Sequence, residues 1–310
     1  MKTLPGLGFW PPNQMLGAMA IGMFDGVHVG HRRVLQTLVE SAHGLPACVM
    51  TFMPHPAEIV GLDPPPFLTS LEQKSEILES VGIDVLIVEQ FTQQFASLSP
   101  YEFARELAQI GVPCVVVGEG FRYGRRGTGD VETLAEHGRM MGFSVRAVPP
   151  VSLGGKVVSS TLIRKLVMSG DLAAARQMMA RAFAVRGRVL PGDSRGRLLG
   201  FPTANLKPPY GQCLPPFGVY AAQVRLEGRV LPAVLNLGSR PTFGSGPVLI
   251  EAHLIGYNGS MYGKNLDVEF LQFLRKERKF ASGTELTEQV AHDKQEALRA
   301  LHRMGFVYKG

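Results

Sequence analysis

From residue 17 to about residue 151, short apolar runs alternate with amphipathic stretches. The runs AMAIGMF (18–24), ACVMTF (47–52), DVLIVEQF (84–91), CVVVGE (114–119) and FSVRAV (143–148) have strand length. Their apolar positions are continuous rather than alternating, as in strands buried on both faces. Between them, apolar positions recur at helical spacing. In SPYEFARELAQIG (99–111), Ser99 is an N-cap, Pro100 opens the helix, Glu102 closes a capping box and Gly111 ends it. The alternation predicts an α/β domain with a parallel sheet covered by helices on both faces. Ligands of such sheets bind beyond the carboxyl ends of the strands. The break at 22–31, after the first of these runs, is therefore the first place to look for a site.

Residues 160–182 predict two short helices, STLIRKLVMSG and DLAAARQMMARAF. The pattern then changes. From 184 to about 275, strand-like stretches are punctuated by Gly and Pro with no helical period. VYAAQVRLEGRVLPAVLNLG (219–238) predicts a hairpin turning at Glu227-Gly228. These features predict a small β-barrel, closed by a C-terminal helix over 283–305. The expected organisation is one domain over 1–183 and a second over 184–310.

A length of 310 residues suits two domains, and 45% hydrophobic residues suit ordinary cores. The net charge of +6 points to anionic partners. Its cations gather in the short stretches FRYGRRGTGD (121–130) and GDSRGRLLG (192–200), whose glycines suit small-nucleotide phosphates better than a duplex backbone. A third run, LRKERKF (274–280), reads as a solvated charged face. An RNA-binding or regulatory protein would need exposed aromatics interleaved with Lys and Arg, and no such strip occurs, so no nucleic-acid partner is expected. Cys48, Cys114 and Cys213 form no CxxC pair, which argues against a disulfide framework and against a cysteine zinc site. No apolar stretch approaches the roughly 20 residues that span a bilayer, and the N-terminal stretch lacks the apolar core of a signal peptide. A cytoplasmic protein without a membrane partner is expected; an oligomer is possible but not required.

In GMFDGVHVGH, His28 and His31 stand three residues apart at a helix start and so face one side of its first turn. Gly22, Gly26 and Gly30 allow close approach of the backbone to a ligand. A helix N-terminus favours phosphate, and two imidazoles there can donate hydrogen bonds as charge builds in an in-line displacement. A metal site is the rival reading, but no carboxylate or cysteine cluster in this stretch completes a ligand set.

GMFDGVHVGH resembles the nucleotidyltransferase signature of bacterial bifunctional riboflavin kinase/FMN adenylyltransferases (FAD synthetases). The resemblance continues in order through TFMPHP (51–56), LTSLEQKSEIL (68–78), GEGFRYGRRGTGD (118–130), VSSTLIR (158–164), LGFPTANL (199–206), GVYAAQV (218–224), NLGSRPTFG (236–244) and LDVEFLQFLRKERKF (266–280). It implies a Rossmann-like nucleotidyltransferase domain followed by a riboflavin kinase barrel. The implied substrates are riboflavin, FMN and ATP, with Mg²⁺ as cofactor. The first module would adenylylate FMN to FAD, with attack of the FMN phosphate on the α-phosphorus of ATP and loss of pyrophosphate. His28 and His31 would stabilise the triphosphate, with Gly26 and Gly30 beside it. Ser159, Ser160 and Thr161, with Arg164 one turn in, would cradle the pyrophosphate, although a hydroxyl there can equally be a helix cap. Phe121, Tyr123 and Asp130 would line the nucleotide or flavin, and His55 would line the site or merely form a turn.

In GFPTANL, Thr203 and Asn205 alternate with apolar residues and so share one face of an extended segment. Their hard oxygens suit Mg²⁺ held jointly with ATP phosphates, the role the resemblance gives them. Gly192, Arg195 and Arg197 would form a phosphate loop. In LDVEFL, Asp267 and Glu269 share a face and alternation does not separate them. The resemblance selects Glu269 as general base for the riboflavin 5′-hydroxyl.

Three departures from the family pattern stand out. Gly120 replaces an Asn or Asp, Tyr123 a Phe, and Met53 an acidic residue; Met23 occupies a position that varies. The first two motivate an alternative, a riboflavin kinase whose adenylyltransferase is weakened or inactive.

Overall fold

The protein is described from a computed structural model covering residues 1–191, 201–239 and 248–306. It packs as two compact units. One holds Met1–Pro65 and Leu71–Ser160, and the other holds Pro66–Ser70 and the described residues from Thr161 onward.

The first unit is built on six parallel strands: β1 (Lys2–Leu4), β2 (Ala18–Ile21), β3 (Ala47–Met53), β4 (Val85–Gln90), β5 (Cys114–Gly118) and β6 (Ser144–Val148). Their order is β1-β4-β3-β2-β5-β6. The helices are α1 (Val29–Ser41), α2 (Pro56–Ile59), α3 (Leu71–Ser80), α4 (Gln93–Ser97), α5 (Pro100–Gln109) and α6 (Val131–Met141). Two apolar clusters flank the sheet. One holds Met19, Met50, Ile87, Val115, Phe103 and Leu107; the other holds Ala20, Val49, Leu86, Val116, Leu35 and Leu38. Neighbouring residues of one strand thus enter opposite clusters, which is why these strands read as unbroken apolar runs. At α5 the Ser99–Glu102 capping box is complete, and Gly111 follows with φ 72°. β1 has no counterpart in the expected strands: three edge residues give no periodicity to read. A small hairpin, β7 (Ser152–Leu153) with β8 (Lys156–Val157), ends this unit's named strands.

From Thr161 onward the second unit holds the rest of α7 (Ser160–Ser169) and α8 (Leu172–Met179). A closed antiparallel barrel follows, from β9 (Phe183–Leu190), β10 (Ala204–Leu206), β11 (Gly218–Leu226), β12 (Arg229–Ser239), β13 (Val248–Leu254) and β14 (Asn265–Arg275). The barrel order is β10-β13-β12-β11-β14-β9. Val185, Leu206, Tyr220, Leu235, Ile250, Val268 and Phe270 are buried within it. The β11–β12 hairpin turns at Glu227 and Gly228, both with positive φ (50° and 79°), as a two-residue type I′ connection requires. Helix α9 (Gly283–Arg303) buries Ala297 and Ala300 against Val219, Ala221 and Val234 on the outside of the barrel.

The units divide at Ser160/Thr161, whereas the texture of the sequence changes at 183. Residues 161–182 are helical, like the first unit, but their apolar face (Leu172, Ala175, Met178, Met179) is buried within the second. Pro66–Ser70, from the first half of the chain, joins the same unit. Phe67 N–H donates to the Gly211 carbonyl at 2.9 Å, and Cys213 N–H donates to the Phe67 carbonyl at 2.9 Å.

Candidate functional sites

The loop from Gly22 to Val27 leaves the carboxyl end of β2 and delivers His28 to the start of α1. Phe24, Gly26 and Val27 have φ of 47°, 78° and 34°. Phe24 and Val27 carry side chains in a left-handed conformation costing about 1–3 kcal/mol each, a strain that persists where the surroundings enforce it. His28 is the N-cap of α1: its Nδ1 accepts the His31 backbone N–H at 3.2 Å. That acceptance assigns the tautomer, leaving Nε2–H as the ring's donor. The His28 and His31 rings stack with centroids 3.6 Å apart and planes 16° apart, and Phe24 meets His31 edge-on at 5.2 Å. Gly30 leaves room for the His28 ring, because a Cβ there would lie 3.1 Å from His28 Nδ1, tighter than ordinary van der Waals contact. The two histidines expected from spacing alone therefore form one preorganised pair of imidazoles.

The other residues expected here have diverse places. Ser160 donates its hydroxyl hydrogen to the Asp25 carbonyl at 2.8 Å, so it braces the loop. Ser159 is half-buried beside it. Thr161 is exposed in the first turn of α7, and the Nε–H of Arg164 donates to the Pro66 carbonyl at 2.7 Å. His55 caps the short α2, its Nδ1 accepting the Ala57 N–H at 3.1 Å. Asp130 caps α6 through Thr133, which together with Arg122 at 3.2 Å holds its carboxyl below the usual range. Tyr123 is buried, stacked on Phe121 at 5.6 Å and tilted against Phe103, and burial pushes its phenol up to about 12. Its hydroxyl lies 3.5 Å from His137 Nδ1. The Phe-to-Tyr departure is thus a change within the core, where a ring is what the packing needs. Gly120 faces open space, with nothing within 4 Å of a Cβ built there.

On the barrel, Thr203 precedes β10 and Asn205 lies within it. Ala204 and Leu206 point inward, opposite Ala252 and Ile250, so Asn205 faces outward. Its cross-strand partner on β13 is Glu251, which is in turn opposite Asn236 on β12. Three polar side chains therefore form a row across three adjacent strands, with neighbouring Cβ atoms about 5 Å apart. The Asn236 carboxamide oxygen is buried without a hydrogen-bond partner among the described residues. Two positions beyond Glu251, His253 points its Nδ1 at the Pro202 carbonyl at 3.0 Å, directly before Thr203. Because a carbonyl only accepts, Nδ1 is the protonated nitrogen. Burial lowers this imidazole's pKa and keeps it neutral, an effect reinforced by the Lys294 charge and opposed by the bond to Pro202. Thr203 and Asn205 also line a pocket of about 230 Å³ with Val189, Pro202 and the 258–262 segment.

Glu269 lies elsewhere. It faces outward on β14, opposite Ala184 of β9, whereas Asn205 is opposite Leu190 of that strand. Six residues along a strand correspond to roughly 20 Å. Glu269 instead accepts from Arg225 Nε at 2.6 Å, and Asp267 pairs with Arg186. The expected base thus belongs to a ladder of surface ion pairs. Sequence reasoning did not single out Glu251, Asn236 or His253, which the fold brings near Asn205 and Thr203. The available signal was VLIEAHL, in which Glu251 and His253 alternate with inward apolar residues as Thr203 and Asn205 do. Gly192, Arg195 and Arg197 lie outside the described residues.

Comparison with known proteins matches both halves of the chain to known families. Residues 11–162 match the family model for FAD synthetase, and residues 179–301 match that for riboflavin kinase. The bifunctional riboflavin kinase/FMN adenylyltransferase of Bacillus subtilis is 38% identical over 296 residues, covering 92% of this chain and 93% of that protein. Its Escherichia coli K12 counterpart is 38% identical over 281 residues, covering 89% and 90%. A Streptococcus pneumoniae crystal structure, described as a macrolide-efflux protein, superposes with a TM-score of 0.86 at 26% identity, covering 96% and 99%. No helix among the described residues is long and apolar enough to cross a membrane. Both modules are present, and the bifunctional relatives do not favour a lone kinase. The chain belongs to the bifunctional riboflavin kinase/FMN adenylyltransferase (FAD synthetase) family.

Proposed function

We propose a division of labour in which Glu251, not Glu269, is the general base of the kinase and the His28–His31 pair serves the adenylyltransferase. The observation that carries the kinase assignment is the Asn205–Glu251 register. Riboflavin's 5′-hydroxyl is neutral and must lose a proton as it attacks the γ-phosphorus. The accepting carboxylate must stand beside the phosphate that the metal–nucleotide complex holds, and Glu251 is the carboxylate next to Asn205. Thr203 and Asn205 supply hard oxygens, and the orphaned Asn236 oxygen adds a third in the same row, a donor set that fits Mg²⁺. The cation supplies charge neutralisation for the transferring phosphoryl group. The adjoining pocket would receive the nucleotide, and Gly192, Arg195 and Arg197 its phosphates. Neutral His253 fixes the Pro202 carbonyl and with it the approach to Thr203.

At the other site, FMN phosphate oxygen attacks the α-phosphorus of ATP and pyrophosphate leaves. His28 Nε2–H and the His31 ring donate to the phosphate oxygens as charge accumulates. The helix N-terminus adds backbone N–H groups, and Gly26 and Gly30 keep side chains out of the way. Ser159, Thr161 and Arg164 remain candidates for the leaving pyrophosphate, and Phe121 and His55 for the flavin or nucleotide. Tyr123, Asp130 and Ser160 have structural duties that account for them. Cytoplasmic residence is supported by three free, buried cysteines, which suit a reducing compartment.

Product analysis with riboflavin, ATP and Mg²⁺ tests the reading. Accumulation of FAD by way of FMN is expected. FMN alone would restore the weakened-transferase alternative, and neither product would refute both activities.

A further inference from the structure

The segment LTSLEQKSEIL, which resembles the family without an assigned role, places a lysine where an ammonium is costly. Lys74, on α3, is 7% exposed. Its Nζ donates to the Met23 carbonyl at 2.7 Å and to Thr51 Oγ1 at 3.3 Å, while the Thr51 hydroxyl donates to the same Met23 carbonyl at 3.2 Å. α3 and β3 thus grip one carbonyl of the β2–α1 loop. Ser160 grips the next but one, at Asp25. The gripped stretch contains Phe24 and leads into Val27, the two side-chain-bearing residues held at positive φ. A buried charge persists only where partners compensate it. Here those partners are the loop's backbone and the buried Asp25.

We propose that Lys74 is a positioning residue for adenylyl transfer, its ammonium fixing the Met23–Asp25 backbone and through it the first turn of α1, where His28 and His31 meet the nucleotide. The inference rests on the reading of those histidines as phosphate donors. It predicts a charge state on which the reaction depends. Burial pushes the Lys74 ammonium down to about 8, against the raising effect of Asp25. Thr51 does not titrate here, and burial pushes the Cys48 thiol, on the same strand, up and out of this window. Ordinary imidazoles and phosphate monoesters titrate at about 6–7, below this midpoint. The anchor is charged below its pKa and lost above it.

The test uses the full chain as wild type, Lys74→Met and His28→Ala, assayed for FAD from FMN and Mg·ATP across neutral to alkaline pH. FMN formation from riboflavin is the control. Wild type is expected to lose adenylylation turnover on the alkaline side with a midpoint near 8. Lys74→Met should lower kcat at neutral pH about tenfold to 10²-fold, the scale of a misplacement of about 1 Å. Its KM values should hardly change, its alkaline limb should be absent, and its kinase turnover should be intact. Wild-type kcat in Lys74→Met overturns the proposal. Should the variant fail to fold and lose both activities, the wild-type profile decides, and the absence of an alkaline limb near 8 overturns it. If His28→Ala keeps full FAD synthesis, the histidine reading itself falls. If His28→Ala collapses while Lys74→Met does not, only the present proposal does.

Discussion

Asn205 and Glu251 are direct cross-strand partners on the outer face of the barrel, a carboxamide beside a carboxylate. Glu269, two strands from Asn205 in the barrel order and roughly 20 Å along the intervening strand, is held by Arg225. On the proposed assignment, this pair would bring proton acceptance and nucleotide binding to one point of the kinase unit.

Glu251→Gln is expected to reduce FMN formation about 10²-fold or more, the scale of a lost general base. Adenylylation of supplied FMN should continue. Glu269→Gln, which breaks an ion pair between a largely buried carboxylate and the exposed Arg225, should leave kinase turnover within about twofold. A steady-state assay in which Glu269→Gln is the crippled variant would reverse the assignment.

Asn205→Ala should raise the Mg·ATP concentration needed for half-maximal kinase rate while riboflavin KM moves little. Superimposable Mg²⁺ titrations of variant and wild type would remove Asn205 from the ligand set.

Two substitutions separate the cap that His28 forms from the donor role proposed for its ring. His28→Ala removes both the helix cap, worth about 1 kcal/mol, and the ring donor. His28→Asn keeps a capping oxygen and removes only the ring. Both should lower FAD synthesis from FMN about 10²–10³-fold, with the thermal midpoint falling only in the alanine variant. His31→Ala should match that catalytic loss. FAD synthesis at the wild-type rate in all three variants would make the histidines structural.

His253 is buried as the neutral imidazole, so its folded pKa lies below its unfolded value. Its stabilisation is full above the unfolded value of about 6.5 and is lost as pH falls through the folded one. Denaturant titrations should show the second unit weakening in acid, and His253→Gln should flatten that dependence. An unchanged slope would clear His253 of the effect.

Fragments test the module boundary. A fragment from 184 omits α8, whose Leu172, Ala175, Met178 and Met179 are buried, so its thermal midpoint should lie below that of a fragment from 161. Equal midpoints, with equal riboflavin phosphorylation, would favour 183 as the working boundary.

The sequence by itself determined whatever depends on neighbours in the chain. Continuous apolar runs specified strands buried on two faces, Ser99 and Glu102 a capped helix, and Glu227-Gly228 a hairpin. The spacing of His28 and His31 put two imidazoles on one helical turn, because i, i+3 geometry needs no distant partner. The ordered motifs carried both activities. Tertiary structure decided what depends on register between strands far apart in the chain. Alternation could say that Asp267, Glu269 and Glu251 face outward, but not which of them stands beside Asn205, because that is set by the pairing of β10 with β13 and by closure of the barrel. Nor could it show that Tyr123 fills the core, that residues 161–182 pack with the barrel unit, or that Lys74 reaches the Met23 carbonyl. Each follows from packing of segments that meet only when the chain folds.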